Sequence, residues 1–267
     1  MKELTLQELK EIELDILKVF HAFCVEHNIR YFLSHGTLLG AIRYKKFIPW
    51  DDDVDVLVPR EDYERLLSLY QDSDRYRLFS FEKDQNYRYP YAKLCDMTTR
   101  KVEFDYDNGM ELGVDMDIFP LDAWDDDFAK AKQEEKRLSR NRFRLGLVKL
   151  KKPDSLNPVK RFVKGIVMVY CKMFGSAYYI RKIQEDANKP EQKGSAYMGN
   201  KAWCVYGQRD IMPAKVFAET ENIEFEGEKF PAPKDYDTYL TCLYGDYLPE
   251  PPKEKQKTHH SFKAYRL

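Results

Sequence analysis

One short segment, Asp51-Asp52-Asp53-Val54-Asp55-Val56-Leu57-Val58, limits what this chain can fold into more than any other. Its β-branched run reads as a strand that Pro59 ends. With a period of two, Asp51, Asp53 and Asp55 share one face, while Asp52, Val54 and Val56 share the other. The apolar residues Val54, Val56, Leu57 and Val58 argue against a solvated acidic loop, so the strand is expected to be half-buried. Three carboxylates on one strand face repel one another at close range. A divalent cation offsets that cost, and hard oxygen ligands favour magnesium or manganese. A second acidic pair, Asp115 and Asp117, shares one face of an expected strand at residues 113–119, closed by Pro120. Asp117 sits among Met116, Ile118 and Phe119, where an acid needs a partner. A carboxylate from a neighbouring strand suits metal-assisted phosphoryl transfer, as a ligand or as acceptor of a hydroxyl proton.

Upstream lies Ser34-His35-Gly36-Thr37-Leu38-Leu39-Gly40-Ala41-Ile42-Arg43. Gly36-Thr37 is expected to make a tight turn into a short helix over 38–43. Glycine lets the backbone approach a ligand closely, and a helix N-terminus offers N–H groups to phosphate. Arg43 adds a planar fork of donors suited to phosphate oxygens. Alone, such a Gly-Thr is often a plain turn; fifteen residues ahead of an acidic strand it gains meaning.

Elsewhere, Thr5 and Glu8 form a capping box ahead of Leu6, Leu9, Ile12, Ile16, Leu17 and Phe20 at helical spacing, with Asn28 as the stop. Further strands are expected at 29–33, 76–81 and 91–96, and a helix over 61–70. After residue 124 helices dominate, at 127–147, 158–182 and 236–243, with a hairpin at 223–230 around Gly227. Residues 153–158 read as a linker and the proline-bearing tail from 249 as loop. The fold class is therefore α+β: a mixed sheet flanked by helices, with a mostly helical second half. A division into a catalytic core, 1–125, and a second region, 126–267, packed on it follows from that order.

Composition narrows the function classes. A chain of 267 residues, 43% hydrophobic and 33% charged, buries a real core and is not disordered. Its longest run without Asp, Glu, Lys or Arg is twelve residues, Tyr31 to Ile42, against roughly 20 for a membrane span. The acidic residues among its first twenty positions do not suit a targeting leader. Five scattered cysteines without a CxxC pair point to reduced thiols and a cytoplasmic protein. Net charge is −1, yet from Lys130 to Lys182 sixteen Lys and Arg stand against three acids. That asymmetry implies an anionic partner or an acidic lobe on the same chain. Nucleic acid is the non-enzymatic reading, but the segment carries no recognised binding motif, so no nucleic acid is expected. Residues 158–174 have a broad apolar face, with Lys149, Lys151 and Lys152 just upstream. Such a helix is either core or lies on an anionic membrane with its apolar face among the headgroups.

Gly36-Thr37, then Asp53-Val54-Asp55, then Asp117 on a later strand resemble the three-part signature of the nucleotidyltransferase fold. More narrowly, GTLLGAIRYKKFIPWDDDVDV, VDMDIFPLD and FPAPKDYDTYLTCLYGDYLPEPP are similar to blocks of the LicD family of phosphorylcholine transferases, distant relatives of fukutin-type phosphosugar transferases. The resemblance runs from the N-terminal helix to about His260 and is least diagnostic over 125–200. It implies transfer of phosphocholine from CDP-choline to a sugar hydroxyl, with CMP released. The acceptor it implies is a cell-wall teichoic acid, a lipopolysaccharide or a glycan precursor on a polyprenyl lipid. A peripheral contact of 149–174 with the anionic inner membrane would keep such an enzyme beside its acceptor.

Residue by residue, the resemblance implies that Asp53 and Asp55 ligate magnesium or manganese and that Asp117 completes the catalytic set. Asp51 and Asp115 stand behind them. Gly36, Thr37, Arg43 and Lys93 are implied at phosphate, and His259 and His260 are further candidates. Choline is a quaternary ammonium, which stacked aromatics hold. Trp50, Trp203 and Tyr206 are the candidates, with Tyr197 and Tyr244 after them. The alternatives are an enzyme for CDP-ribitol or CDP-glycerol, and a glycosyltransferase holding manganese on its Asp-x-Asp strand. Gly36-Thr37 upstream and Asp117 downstream fit the second poorly.

Overall fold

The computed structural model describes residues 1–188, 195–258 and 261–267. A two-residue strand, β1 (Lys2–Glu3), precedes α1 (Leu6–Glu26), whose capping box forms as expected: the Thr5 side chain accepts from the Glu8 N–H, and the Glu8 carboxylate accepts from the Thr5 N–H. Just beyond α1, Asn28 takes the left-handed conformation (φ 51°). There follow β2 (Phe32–Leu33), α2 (His35–Tyr44), β3 (Asp55–Pro59), α3 (Arg60–Leu69) and β4 (Tyr76–Phe79), then two long strands, β5 (Ala92–Glu103) and β6 (Leu112–Ala123). Next come α4 (Phe128–Lys149), α5 (Pro158–Ala187), β7 (Tyr197–Gly199), β8 (Met212–Pro213), the hairpin of β9 (Thr220–Phe225) and β10 (Glu228–Pro233), α6 (Tyr236–Tyr244) and β11 (Phe262–Arg266).

The main sheet is mixed, with the path β1-β11-β5-β6-β3-β2, β4 beside β5, and β7 joining β6 to β8. Among the described residues only β3 and β6 run parallel; the other pairs are antiparallel. The register puts Asp55 beside Asp117 and Asp117 beside Lys93, so one row across β3, β6 and β5 carries three charged groups. Alternate residues of the same strands, among them Val56, Ile118, Met116, Ala92 and Leu94, are buried and apolar.

Several expectations need correction. Gly36 and Thr37 do not form a turn ahead of a helix; they lie in its first turn, because α2 already starts at His35. The acidic strand begins only at Asp55, so Asp51, Asp52 and Asp53 are irregular backbone and the expected period of two does not govern them. β6 does not close at Pro120 but continues to Ala123. Proline is tolerated there because pairing with β5 ends at Ile118, leaving an edge until β7 meets Asp122. The tail is not all loop: β11 inserts between β1 and β5, so the last residues of the chain lie in the same sheet as the first. The connection between α4 and α5 spans 150–157, wider than the expected linker and ending before Pro158, which is already helical; the two helices pack on each other as a hairpin. α5 kinks at Gly175, whose φ is 76°.

Candidate active site

One face of the sheet floors a cavity of about 1490 Å³, above the 300–1,000 Å³ typical of a small-molecule pocket. Asp53, Asp55, Asp115, Asp117 and Lys93 line it, with Asp51 and Gly36 on one side and α4 on the other. Backbone bonds fix the acidic segment there. The Asp117 N–H donates to the Val54 carbonyl, and the Ser34 N–H donates to the Asp55 carbonyl at 3.1 Å.

The Thr37 hydroxyl accepts the Asp55 N–H at 2.9 Å and is buried, so Thr37 holds β3 to α2 and does not line the cavity. Gly36 has an equally local role. A Cβ there would stand 2.6 Å from Asp51 Oδ2, so only glycine lets the Asp51 carboxylate lie against α2. Arg43 does reach the cavity; its Nη2 donates to the Pro249 carbonyl at 2.7 Å, and its Nε is buried without a hydrogen-bond partner among the described residues.

The carboxylate oxygens of Asp51, Asp52 and Asp53 come within 4.8 Å of one another. The expected face pairing put Asp52 on the opposite side; without regular strand backbone, all three carboxylates converge. Asp55 and Asp117 adjoin this group on the cavity floor but are not part of it. Burial raises the Asp55 pKa well above the ordinary carboxylate range, and Asp53, Asp117 and Asp51 push it the same way, outweighing Lys93. A convergent set of hard oxygen donors beside the destabilised Asp55 carboxylate fits a divalent cation.

Lys93 is not a free phosphate ligand. It is ion-paired with Asp115 and Asp117, while Lys101 donates to Asp115 at 2.8 Å. Burial opposes both charges, but the two lysines hold Asp115 well below the usual carboxylate range, and the two acids hold Lys93 protonated. Trp50, Trp203, Tyr206 and Tyr244 line the cavity; Tyr197 does not, packing instead against Phe128. His259 and His260 lie outside the described residues.

Three groups escaped the sequence reading. His35, within the quoted motif, is buried, with Nδ1 3.7 Å from Asp55 Oδ2 and Nε2 4.0 Å from Asp210 Oδ1. Its ring stacks on Tyr206, and its backbone N–H donates to the Tyr239 hydroxyl. Burial lowers the His35 pKa to about 4 and raises that of Asp210 to about 7. Nothing near Asp210 in sequence marks it, since it reaches His35 through a short 3₁₀ turn over Gly207–Asp210. The third is Lys149, expected on the surface; it is buried on the cavity wall, with Nζ 3.0 Å from the centre of the Tyr89 ring.

Comparison with known proteins matches residues 28–145 to the family described as LicD/FKTN/FKRP, nucleotidyltransferase domain. The chain is 32% identical over 272 residues to the lipopolysaccharide cholinephosphotransferase LicD of Haemophilus influenzae, covering all of both proteins. A shorter likeness, 38% over 63 residues, links 23% of this chain to 20% of an uncharacterized protein of Rickettsia typhi. Another, 43% over 47 residues, links 18% of this chain to 18% of an uncharacterized protein of Rickettsia prowazekii.

Gly36→Ala should therefore leave the melting temperature almost unchanged, because only the end of a side chain must move. Calorimetric titration should show divalent-cation affinity reduced about tenfold or more, the effect of disturbing a ligand's support. Unaltered cation binding would disconnect Asp51 from the metal. Asp210 gives a pH signature. Its folded pKa, raised to about 7, lies above the unfolded value, so between about pH 4 and 7 the folded protein holds a proton that the unfolded chain has released. Its contribution to stability falls as pH rises through that window. Asp210→Asn removes the dependence, so the variant should gain on wild type in melts as pH increases from about 4 to 7. A constant difference would refute it.

Proposed function

Since the chain belongs to the LicD family and is a phosphotransferase of that type, we propose that it transfers phosphocholine from CDP-choline to a sugar hydroxyl on a lipid-carried glycan, and that CMP leaves. The observation that carries this reading is the acidic row: Asp55 and Asp117 side by side on parallel strands, next to the converging carboxylates of Asp51, Asp52 and Asp53. These residues would hold a magnesium or manganese ion, which supplies charge neutralisation on the donor's diphosphate. Asp117, held by its ion pair with Lys93, would accept the proton of an incoming hydroxyl. Trp50, Trp203 and Tyr206 offer aromatic faces to the trimethylammonium group. The Haemophilus influenzae relative's name specifies lipopolysaccharide, which favours that acceptor over a teichoic acid.

The outer face of α5 supports a lipid-borne acceptor. Val159, Phe162, Val163, Ile166, Val169 and Met173 are all more than half exposed, and Phe143 on α4 extends the patch to the cavity rim. Lys152, Lys160 and Arg161 lie at its basic end and are exposed. Among the described residues no helix is long and apolar enough to cross a membrane. An apolar helix face with basic flanks suits shallow insertion among anionic headgroups. Lys149, buried in the cavity, takes no part in this flank.

The deciding experiment is product analysis with a panel of CDP-alcohols and a sugar acceptor. CDP-choline should give CMP and a choline phosphate-bearing glycan, and EDTA or Asp53→Asn should abolish both. Turnover in excess EDTA would sink the metal reading, and preference for CDP-ribitol or CDP-glycerol would replace the donor. For the membrane contact, sedimentation should bind wild type to anionic vesicles at low salt and release it at high salt. Phe162→Asp with Met173→Asp should eliminate binding while turnover on a soluble acceptor persists; unchanged sedimentation would dismiss this face.

A further inference from the structure

Cations are common around the cavity, but most are already engaged. Lys93 and Lys101 are held by Asp115 and Asp117, Lys164 by Asp154, and one Arg43 nitrogen by the Pro249 carbonyl. Lys149 differs. It is the last residue of α4, 4% exposed, and lines the cavity, yet no ion pair or side-chain hydrogen bond joins it to the described residues. What holds its ammonium is the Tyr89 ring, 3.0 Å from Nζ to the ring centre. An aromatic face steadies a cation without cancelling its charge.

The surroundings keep that cation in place. The Lys149 carbonyl accepts the Asp107 N–H at 2.8 Å, pinning the helix end, and the next residue, Leu150, bridges to Tyr106. Tyr89 is fixed in turn, its hydroxyl within hydrogen-bonding distance of Glu103 Oε1 (2.9 Å) and of the Asn108 side chain (2.7 Å). The charged groups that act on Lys149 are Glu103 and Lys93 from β5, Asp117 from β6, and Arg88. Glu103, which heads that set, is the one occupied by the Tyr89 hydroxyl. A buried ammonium facing a large cavity without a counter-ion is a site for an anion.

We propose that Lys149 is a phosphate-binding residue of this enzyme, its ammonium donating to an oxygen of the donor's diphosphate from the α4 wall of the cavity. The assignment rests on the phosphotransfer reading above and names a ligand contact within it. It also explains why Tyr89 is not available for choline: its face already carries a cation. Burial lowers the Lys149 pKa to about 7, so a bound anion should draw a proton onto it in mildly alkaline solution.

The test is calorimetric titration of wild type and Lys149→Met with inorganic diphosphate, with cytidine and with CDP-choline. It is run at about pH 8 in two buffers of different ionisation enthalpy. Wild type should bind diphosphate with net proton uptake. Lys149→Met should bind it about tenfold or more weakly, as loss of a charged hydrogen bond does, with that uptake abolished and with cytidine affinity retained. Equal diphosphate affinity in the two proteins, or equal losses for diphosphate and cytidine, would overturn the assignment. So would failure of wild type to bind diphosphate, or binding without proton uptake, which decides the matter even if the variant does not fold. If wild type ignores CDP-choline but shows the Lys149-dependent response to diphosphate, the donor reading fails and Lys149 stands.

Discussion

Everything at the centre of this protein depends on a charged row laid across three neighbouring strands: Asp55 on β3, Asp117 on β6 and Lys93 on β5. Burying charge costs several kcal/mol per ion unless partners repay it. Here Lys93 and Lys101 repay it for β6, holding Asp115 ionised and fixing Asp117 in place. The same economy stops short of Asp55, where burial and the charges of Asp53, Asp117 and Asp51 outweigh the attraction of Lys93. The sheet thus neutralises one end of its acidic row and leaves the other in need of a cation. Stability and chemistry are assigned to adjacent residues of one ladder.

The segment ahead of this row works by positioning. Thr37 ties α2 to the first residue of β3, and Gly36 clears the space that the Asp51 carboxylate fills. A motif that reads as a phosphate cradle is, in the folded protein, a device for holding carboxylates. On the proposal made above, phosphate contacts would fall instead to Arg43, at the end of the same segment, and to Lys149, both on the cavity lining.

The helical hairpin of α4 and α5 joins two surfaces with opposite needs. Its inner end closes the cavity through Lys149 and Leu147, while its outer face leaves Phe162, Ile166 and Met173 in solvent. An apolar patch of that size has to meet something. It reaches the cavity rim through Phe143 and Lys164, the side from which the lipid-borne acceptor proposed above would enter.

The sequence by itself determined the elements with strong local signals. The capped α1, the hairpin around Gly227 and the long helices after residue 126 follow from periodicity, caps and glycine, which act over a few residues. It also marked the acids of the cavity floor, because carboxylates amid valines are costly wherever they occur. Tertiary structure decided the rest. β1 and β11 are too short to announce themselves; β11 forms on the edge that β5 offers, and β1 on the edge that β11 then presents. Asp52 joins Asp51 and Asp53 because irregular backbone cancels the alternation that a strand would impose. Lys149, one cation in a basic run, and Asp210, in an unremarked turn, become site residues only when α4 and that turn close over the sheet. Burial and charge pairing depend on neighbours distant in the chain, and no local pattern encodes them.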